Sequence, residues 1–435
     1  MNRDKNKKNS LLKRIIITFS IFSIFVCAIP SLKVSAAKEP PKLNSNGVAL
    51  MDATTGQLLY SKNPDTHYYP ASTTKILTAL VVLENAKLDD KVTVGKKPPT
   101  VDGTAIGLKE GEVFTVEELL LGLLMESGND CAEALAEHVS GSNEEFAKLM
   151  NKRAKEAGAT NSNFKNPSGL PDPDHYTTPR DLALIMKDAI KNPDFIRIDR
   201  TYSLQISPST IDGSRRWLNN HNYILDSKSN YYYKYSVASK KGYTTEAHFT
   251  NIISATKDGH TLITSCLDGE GINQVYGDVN KIFDYGFENF ELKKLYCEGD
   301  EIGSFMVDDE TKVPLLAGKD IYYCTNIADK NNLKASIDYS DPIGLEKETF
   351  NRGNVLTIAK VLVNGTEFTE LDLVSGIDRE FNSKKAIDNF YDENSTKIKV
   401  AITAVLLLMI FIFINKKKQI VRKRRKSRIN RIINR

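Results

Sequence analysis

Apolar positions change their period several times along this chain, and each change marks an element. Val48-Ala49-Leu50-Met51-Asp52 and Gln57-Leu58-Leu59-Tyr60 flank the turn Thr54-Thr55-Gly56 and predict a hairpin. After Pro70 the period lengthens. Ile76, Leu77, Leu80 and Val81 recur at helical spacing and predict a largely buried helix with Ser72 at its N-terminal end. Thr115 and Glu118 form a capping-box pattern ahead of an apolar helix that runs to Met125. Ser127-Gly128-Asn129 interrupts it, and helical character resumes from Asp130 to His138. A second box, Ser142 with Glu145, opens a helix that closes near Gly158. Thr178-Pro179-Arg180-Asp181 supplies an N-cap, a proline and an acidic first turn for another. Beyond residue 200 the pattern turns to strands, and the runs 249–256 and 260–267 surround Lys257-Asp258-Gly259 as a hairpin. Strands at both ends of a helical cluster predict an α+β domain over residues 38–290, with a mostly antiparallel sheet.

Near Phe290 the pattern shifts again. Residues 291–377 hold short Val/Ile/Leu runs separated by Asp, Gly, Asn and Pro, which predicts a small all-β domain. Residues 378–397 are polar and charged and read as a linker. The apolar run Ile398 to Ile414, broken by Lys399, is near the short limit for a transmembrane helix, expected over residues 398–415, and Lys399 is placed to snorkel to the interface. The tail 416–435 carries Lys416-Lys417-Lys418 and Arg422-Lys423-Arg424-Arg425-Lys426. Such a cluster stays cytoplasmic, so both domains are expected on the extracellular face of the cell membrane. At the other end, six basic residues from Arg3 to Arg14 precede the apolar run 15–29 and the small residues of Val34-Ser35-Ala36-Ala37. This predicts a secretory signal peptide over residues 1–37, with an uncleaved anchor as the alternative.

The length, 435 residues, suits two domains with sizeable cores. The formal net charge is +4, and much of the basic excess sits at the termini, so no nucleic-acid partner is expected. Cys27 lies in the signal; Cys131, Cys266, Cys297 and Cys324 are too sparse for a disulfide scaffold, and a Cys297–Cys324 pair stays open. No Cys-x-x-Cys or His-Glu-x-x-His pattern is present, so neither a metal nor a cofactor is expected.

The candidate chemistry begins at Ser72-Thr73-Thr74-Lys75. Three residues apart on a helix is one face, which sets a hydroxyl nucleophile beside an amine base. A helix N-terminus there favours developing negative charge. A lysine near its ordinary pKa of about 10.4 is a poor base at neutral pH and needs burial or a second cation, and Lys240 is the candidate cation. Ser127-Gly128-Asn129 and Lys240-Lys241-Gly242 follow in order. The trio resembles the signature of penicillin-binding proteins and class A β-lactamases.

The resemblance extends further. Pro70-Ala71-Ser72-Thr73-Thr74-Lys75, Leu124-Met125-Glu126-Ser127-Gly128-Asn129-Asp130, Asn166-Pro167-Ser168-Gly169-Leu170, His175-Tyr176-Thr177-Thr178 and Gly242-Tyr243-Thr244 are similar to segments of the low-molecular-weight D-alanyl-D-alanine carboxypeptidases, the S11 serine peptidases. Specific motifs cover roughly residues 45–290; across the β-rich part the likeness is one of layout. The resemblance implies a penicillin-binding/β-lactamase-like transpeptidase domain followed by a β-rich domain and a membrane anchor. It implies that Ser72 attacks the carbonyl between the two terminal D-alanines of a peptidoglycan stem peptide, with Lys75 taking its proton and Ser127 relaying one to the leaving amine. Asn129 would hold the substrate's amide, and Lys240, Lys241, Gly242, Tyr243 and Thr244 would form the substrate-binding strand. Backbone N–H groups of Ser72 and Tyr243 would form the oxyanion hole, and β-lactam antibiotics would acylate the same serine.

Lys241 departs from the family pattern, which has Thr or Ser there to help bind the terminal carboxylate, and Ala238-Ser239 replace a glycine and an apolar residue. Two alternatives follow. A catalytically weak or inactive wall protein has Lys241 as its support. A β-lactamase of class A would carry Glu-x-x-Leu-Asn, and the nearest match, Arg215-Arg216-Trp217-Leu218-Asn219, has no glutamate. His175 and His221 read as structural or cleft-lining, because no Gly-x-Ser-x-Gly elbow accompanies them. Cys131 reads as a small buried hydrophobe.

Overall fold

A computed structural model describes residues 39–381 and 383–433. The expected signal segment, 1–37, lies outside the described residues. The chain divides into two compact units: residues up to 295 together with 322–333, and residues 296–321 together with those from 334 onward. The expected boundary at 290 falls close to the division after residue 295, while the segment 322–333 belongs to the first unit as well. Residues 322–333 return to the first unit because Cys324 N–H donates to Gln57 Oε1 (2.7 Å) and Ile327 N–H donates to the Asn289 carbonyl (2.8 Å).

The first unit is built on five antiparallel strands: β1 (Gly47–Asp52), β2 (Leu58–Lys62), β3 (Ser236–Thr244), β4 (His248–Lys257) and β5 (His260–Gly269). Their spatial order is β2-β1-β5-β4-β3, which makes β3 an edge. Side chains alternate across the pleat. Met51, Ile252 and Ile263 belong to one buried cluster, while their neighbours Leu50, Ile253 and Leu262 belong to another. The β4–β5 turn pairs Lys257 with His260 around Asp258 and Gly259, both at positive φ (52° and 81°), as a two-residue hairpin requires.

One face of the sheet carries a helical cluster: α1 (Lys75–Asn85), α2 (Val116–Met125), α3 (Asn129–Ser140), α4 (Asn143–Glu156), α5 (Pro179–Ala189) and α6 (Pro193–Asp199). The caps read from sequence are present. Thr115 and Glu118 make the reciprocal capping box, Ser142 accepts from Glu145 N–H, and Thr178 accepts from Asp181 N–H. The other face carries α7 (Ile272–Asn289), whose Val275, Val279, Ile282 and Phe283 are buried against Leu50, Ile253 and Leu262.

The second unit holds another antiparallel sheet: β6 (Glu301–Met306), β7 (Lys312–Ala317), β8 (Ala335–Asp338), β9 (Val355–Val363) and β10 (Thr366–Ser375), in the order β6-β7-β10-β9-β8. Val313, Leu315 and Ala317, Ala359, Val361 and Val363, and Leu371 and Leu373 are buried at period two, so one face of the sheet forms the core.

The chain then continues as α8 (Ser383–Ile433). Residues 378–397, expected as a linker, are thus helical from Ser383. No glycine or proline follows Gly376, so nothing in the backbone breaks the helix. Within it, Phe390–Ser427 is long and apolar enough to cross a membrane.

Candidate active site

The first motif starts a helix at a bent entry. Ala71–Thr74 forms a 3₁₀ turn that leads into α1, and Ala71 holds a positive φ of 48°, costly for a residue with a side chain. Thr73 Oγ1 donates to the Pro70 carbonyl (2.6 Å) and Thr250 Oγ1, from β4, donates to the same oxygen (3.0 Å), so the entry is pinned from both sides. Gly169, at φ 87°, lies so close that a Cβ there would come within 1.9 Å of the Ala71 carbonyl oxygen.

Lys75 is fully buried one turn below Ser72. Its Nζ lies 2.9 Å from Ser72 Oγ, 2.7 Å from Asn129 Oδ1 and 2.7 Å from the Ser168 carbonyl oxygen. A neutral amine has two N–H donors and one lone pair. In that form the two carbonyl oxygens would take the donors and leave the lone pair for the Ser72 hydroxyl, which here accepts from Nζ. Burial, with Lys240 as the next cause, holds the Lys75 ammonium well below the ordinary lysine range, which lowers the cost of the neutral form. The Lys75 amine thus occupies the position from which a base could reach the Ser72 hydroxyl.

The second motif sits in the break between α2 and α3. Ser127 adopts φ 61°, a second strained non-glycine position beside the cleft. Its Oγ accepts from Lys240 Nζ at 3.1 Å. Lys240 also donates to the Lys241 carbonyl (3.3 Å) and is buried, which lowers it to about 8 even though Asp199 opposes the shift. Asp199 ends α6 fully buried. It accepts from Ser239 N–H (2.9 Å) and Asn222 Nδ2 (3.2 Å), and burial raises it to about 7.

Gly242 answers a close approach. A Cβ at this position would lie 2.7 Å from Ser72 N and 2.6 Å from Thr250 Oγ1, so only glycine lets edge strand β3 back onto the start of α1. The cleft between them is lined by Ser72, Ser127, Lys240, Lys241, Gly242 and Tyr243, with Tyr276 of α7 on its wall. Lys240 and Lys241 point to opposite sides of the strand: Lys240 reaches Ser127, whereas the Lys241 ammonium lies 3.9 Å from the centroid of the Tyr223 ring.

Two expected site residues have partners within the protein. Asn129 is buried beside Lys75; its Oδ1 accepts from that amine and its Nδ2 donates to the Asp102 carbonyl (2.6 Å). Thr244 accepts from Ala247 N–H (3.0 Å) and closes the β3–β4 turn. His175 is buried and lowered to about 4 by desolvation. Its Nε2 lies 3.1 Å from Thr74 Oγ1, a structural role. His221 lines the cleft and pairs with Glu126 at 2.9 Å. Cys131 is fully buried, and Cys131, Cys266, Cys297 and Cys324 are all free thiols. Sequence reasoning assigned no role to Ser168 or Asp199. Ser168 contacts Lys75 through its backbone oxygen, which no residue type betrays, and Asp199 lies 40 positions before Ser239, the strand residue it accepts from.

A serine and a buried lysine one turn apart, a strained Ser-x-Asn break, and an edge-strand lysine beside an antiparallel sheet define the class of penicillin-recognising acyl-transfer enzymes. The comparisons narrow the class. The D-alanyl-D-alanine carboxypeptidase model of peptidase group S11 matches residues 34–271, and the model of the penicillin-binding protein 5 C-terminal domain matches 290–380. The chain belongs to the D-alanyl-D-alanine carboxypeptidase family and is a serine-type peptidase. It is 32% identical over 346 residues to the D-alanyl-D-alanine carboxypeptidase DacF of Bacillus subtilis, covering 76% of this chain and 86% of that one. It is 33% identical to the carboxypeptidase of a Streptomyces species, strain K15, over 58% of this chain and 90% of its relative. Penicillin-binding protein 5 from Haemophilus influenzae matches with a TM-score of 0.66 and 28% identity, over 78% of this chain and 99% of that one.

Proposed function

We propose that this chain removes the terminal D-alanine from peptidoglycan stem peptides through an acyl-enzyme on Ser72, and that β-lactams are trapped at the same oxygen. The observation that carries the reading is Lys75 Nζ, buried and 2.9 Å from Ser72 Oγ. Lys75 takes the hydroxyl proton as Oγ attacks the carbonyl of the penultimate D-alanine. The developing oxyanion is received by the N–H groups of Ser72 and of Tyr243, on the edge strand that Gly242 lets approach. Ser127 gives its hydroxyl proton to the leaving amine and is reprotonated with the proton that Lys75 took from Ser72, which the neighbouring Lys240 cation keeps Lys75 from retaining. Water then releases the acyl group. The test is D-alanine release from a stem pentapeptide by the purified protein. Stoichiometric β-lactam binding without release would favour the inactive wall protein, and rapid β-lactam turnover would favour a β-lactamase.

Lys240 acts as a cation, so the acylation rate falls as pH rises past about 8, where it loses its proton. Asp199→Asn removes the anion that opposes this loss, so the alkaline limb moves to lower pH. A rate–pH profile that changes in height while its limb stays in place would mean that Asp199 only braces the strand.

The Lys241 ammonium rests on Tyr223, which supports a weak grip on the substrate carboxylate. Lys241→Thr is expected to raise the second-order rate of β-lactam acylation, since a hydrogen bond to a charged group is worth roughly 1.5–3 kcal/mol, tenfold or more. A lower rate with a flattened salt dependence would instead make the ammonium the carboxylate's partner.

The basic residues of the tail support an orientation in which both units lie outside the cytoplasm, held by the apolar stretch of α8. Protease added to intact cells is expected to release a soluble fragment by cutting before residue 397. Release only after permeabilisation would reverse the orientation.

A further inference from the structure

On the first unit, away from the cleft, three metal-ligating side chains from distant parts of the sequence converge. Asp52 ends β1, His260 begins β5 and Cys324 arrives from the strand Ile321–Asn326, and their ligand atoms all lie within 4.8 Å of one another. Asp52 Oδ2 lies 2.8 Å and Cys324 Sγ 3.8 Å from the same atom, His260 Nε2. That geometry is wrong for a catalytic relay, in which the imidazole bridges two partners through its two different nitrogens. One N–H on Nε2 serves one acceptor only, whereas a cation in place of that proton serves all three.

Each ligand is held from behind. Asp52 Oδ1 accepts from Thr55 N–H (2.6 Å) and Thr55 Oγ1 (2.7 Å). The Cys324 backbone is clamped by Gln57, whose Oε1 accepts at 2.7 Å and whose Nε2 donates to the carbonyl at 3.3 Å. The His260 ring packs edge-on against Phe287, centroids 5.9 Å apart. Such outer contacts are what fix ligand orientation at metal sites. Asp52 and Cys324 are buried, while His260 reaches a small cleft that it lines with Phe287 and Glu291.

We propose that Asp52, His260 and Cys324 bind one divalent transition-metal ion of the zinc class, with a further coordination position served from that cleft. The donor set (one carboxylate, one imidazole, one thiolate) suits borderline and soft ions and disfavours magnesium or calcium. Tetrahedral zinc places nitrogen and sulfur ligands about 3.6 Å apart and nitrogen and oxygen ligands about 3.3 Å apart. The Sγ–Nε2 separation already fits, and the Oδ2–Nε2 pair needs to open by about half an ångström. The ion would tie Cys324 to the ends of β1 and β5, three segments that no disulfide joins.

The test uses the full chain in detergent, stripped with a chelator and titrated with Co²⁺. One equivalent is expected to produce a thiolate-to-cobalt charge-transfer band, which Zn²⁺ then displaces. Cys324→Ser removes the band, His260→Gln weakens Co²⁺ binding tenfold or more, and Cys297→Ser leaves both unchanged. Absence of the band in the unmodified chain, its survival in Cys324→Ser, or its loss in Cys297→Ser overturns the site. Should Cys324→Ser fail to fold by circular dichroism, the His260→Gln titration decides: undiminished affinity there also overturns it.

Discussion

Ser72→Ala abolishes covalent labelling by a β-lactam and lowers D-alanine release by a factor on the order of 10⁶, as loss of a serine nucleophile does elsewhere. The fold is expected to survive, because Ser72 lines the cleft and the helix entry is held by Thr73, Thr250 and Gly169 instead. Mass spectrometry of the labelled protein checks the assignment: the adduct maps to the peptide carrying Ser72, one per chain. Label retained in the variant, or found elsewhere, removes Ser72 as the nucleophile.

Lys75→Met keeps the volume of the aliphatic stem and deletes the amine. General-base catalysis typically contributes 10²–10⁴-fold, so acylation slows by roughly that factor while β-lactam still binds reversibly. The change also leaves Asn129 Oδ1 and the Ser168 carbonyl without their buried donor, so some stability is lost. Stopped-flow acylation separates the two effects, because only the chemical step depends on the base. Lys75→Arg is the sharper control. Its guanidinium keeps donors but never loses its charge at neutral pH, so it fails as a base even when it fits. Wild-type rates in either variant would make Lys75 a structural cation.

Local signals in the sequence anticipated local structure well. The caps at Thr115, Ser142 and Thr178 and the Asp258-Gly259 turn each depend on residues within a few positions, and all are present. The Ser72/Lys75 pair was legible for the same reason, being one helical turn. What the sequence hid depends on tertiary approach. The contacts of Asn129 with Lys75 and the Asp102 carbonyl follow from how α3 packs against α1, which the motif alone does not encode. Asp199 braces β3 through a backbone N–H, a contact without a residue signature. The return of residues 322–333 to the first unit hangs on Gln57 and Asn289, far away in sequence. The Asp52–His260–Cys324 convergence has no short motif for the same reason. The helical stretch before residue 397 was missed because its polar and charged residues carry no strong apolar period, the signal by which a helix is read.

The two left-handed residues at the cleft, Ala71 and Ser127, constrain how this enzyme can adapt. Each costs about 1–2 kcal/mol that glycine would not, so mutation offers a cheap route to greater heat tolerance at both positions. At Ser127 that route is closed, because glycine also deletes the hydroxyl facing Lys240. At Ala71 it is open, but the added backbone freedom falls on the residue next to the nucleophile. Ala71→Gly is therefore the one change of the two that can relieve a torsion without removing a cleft hydroxyl.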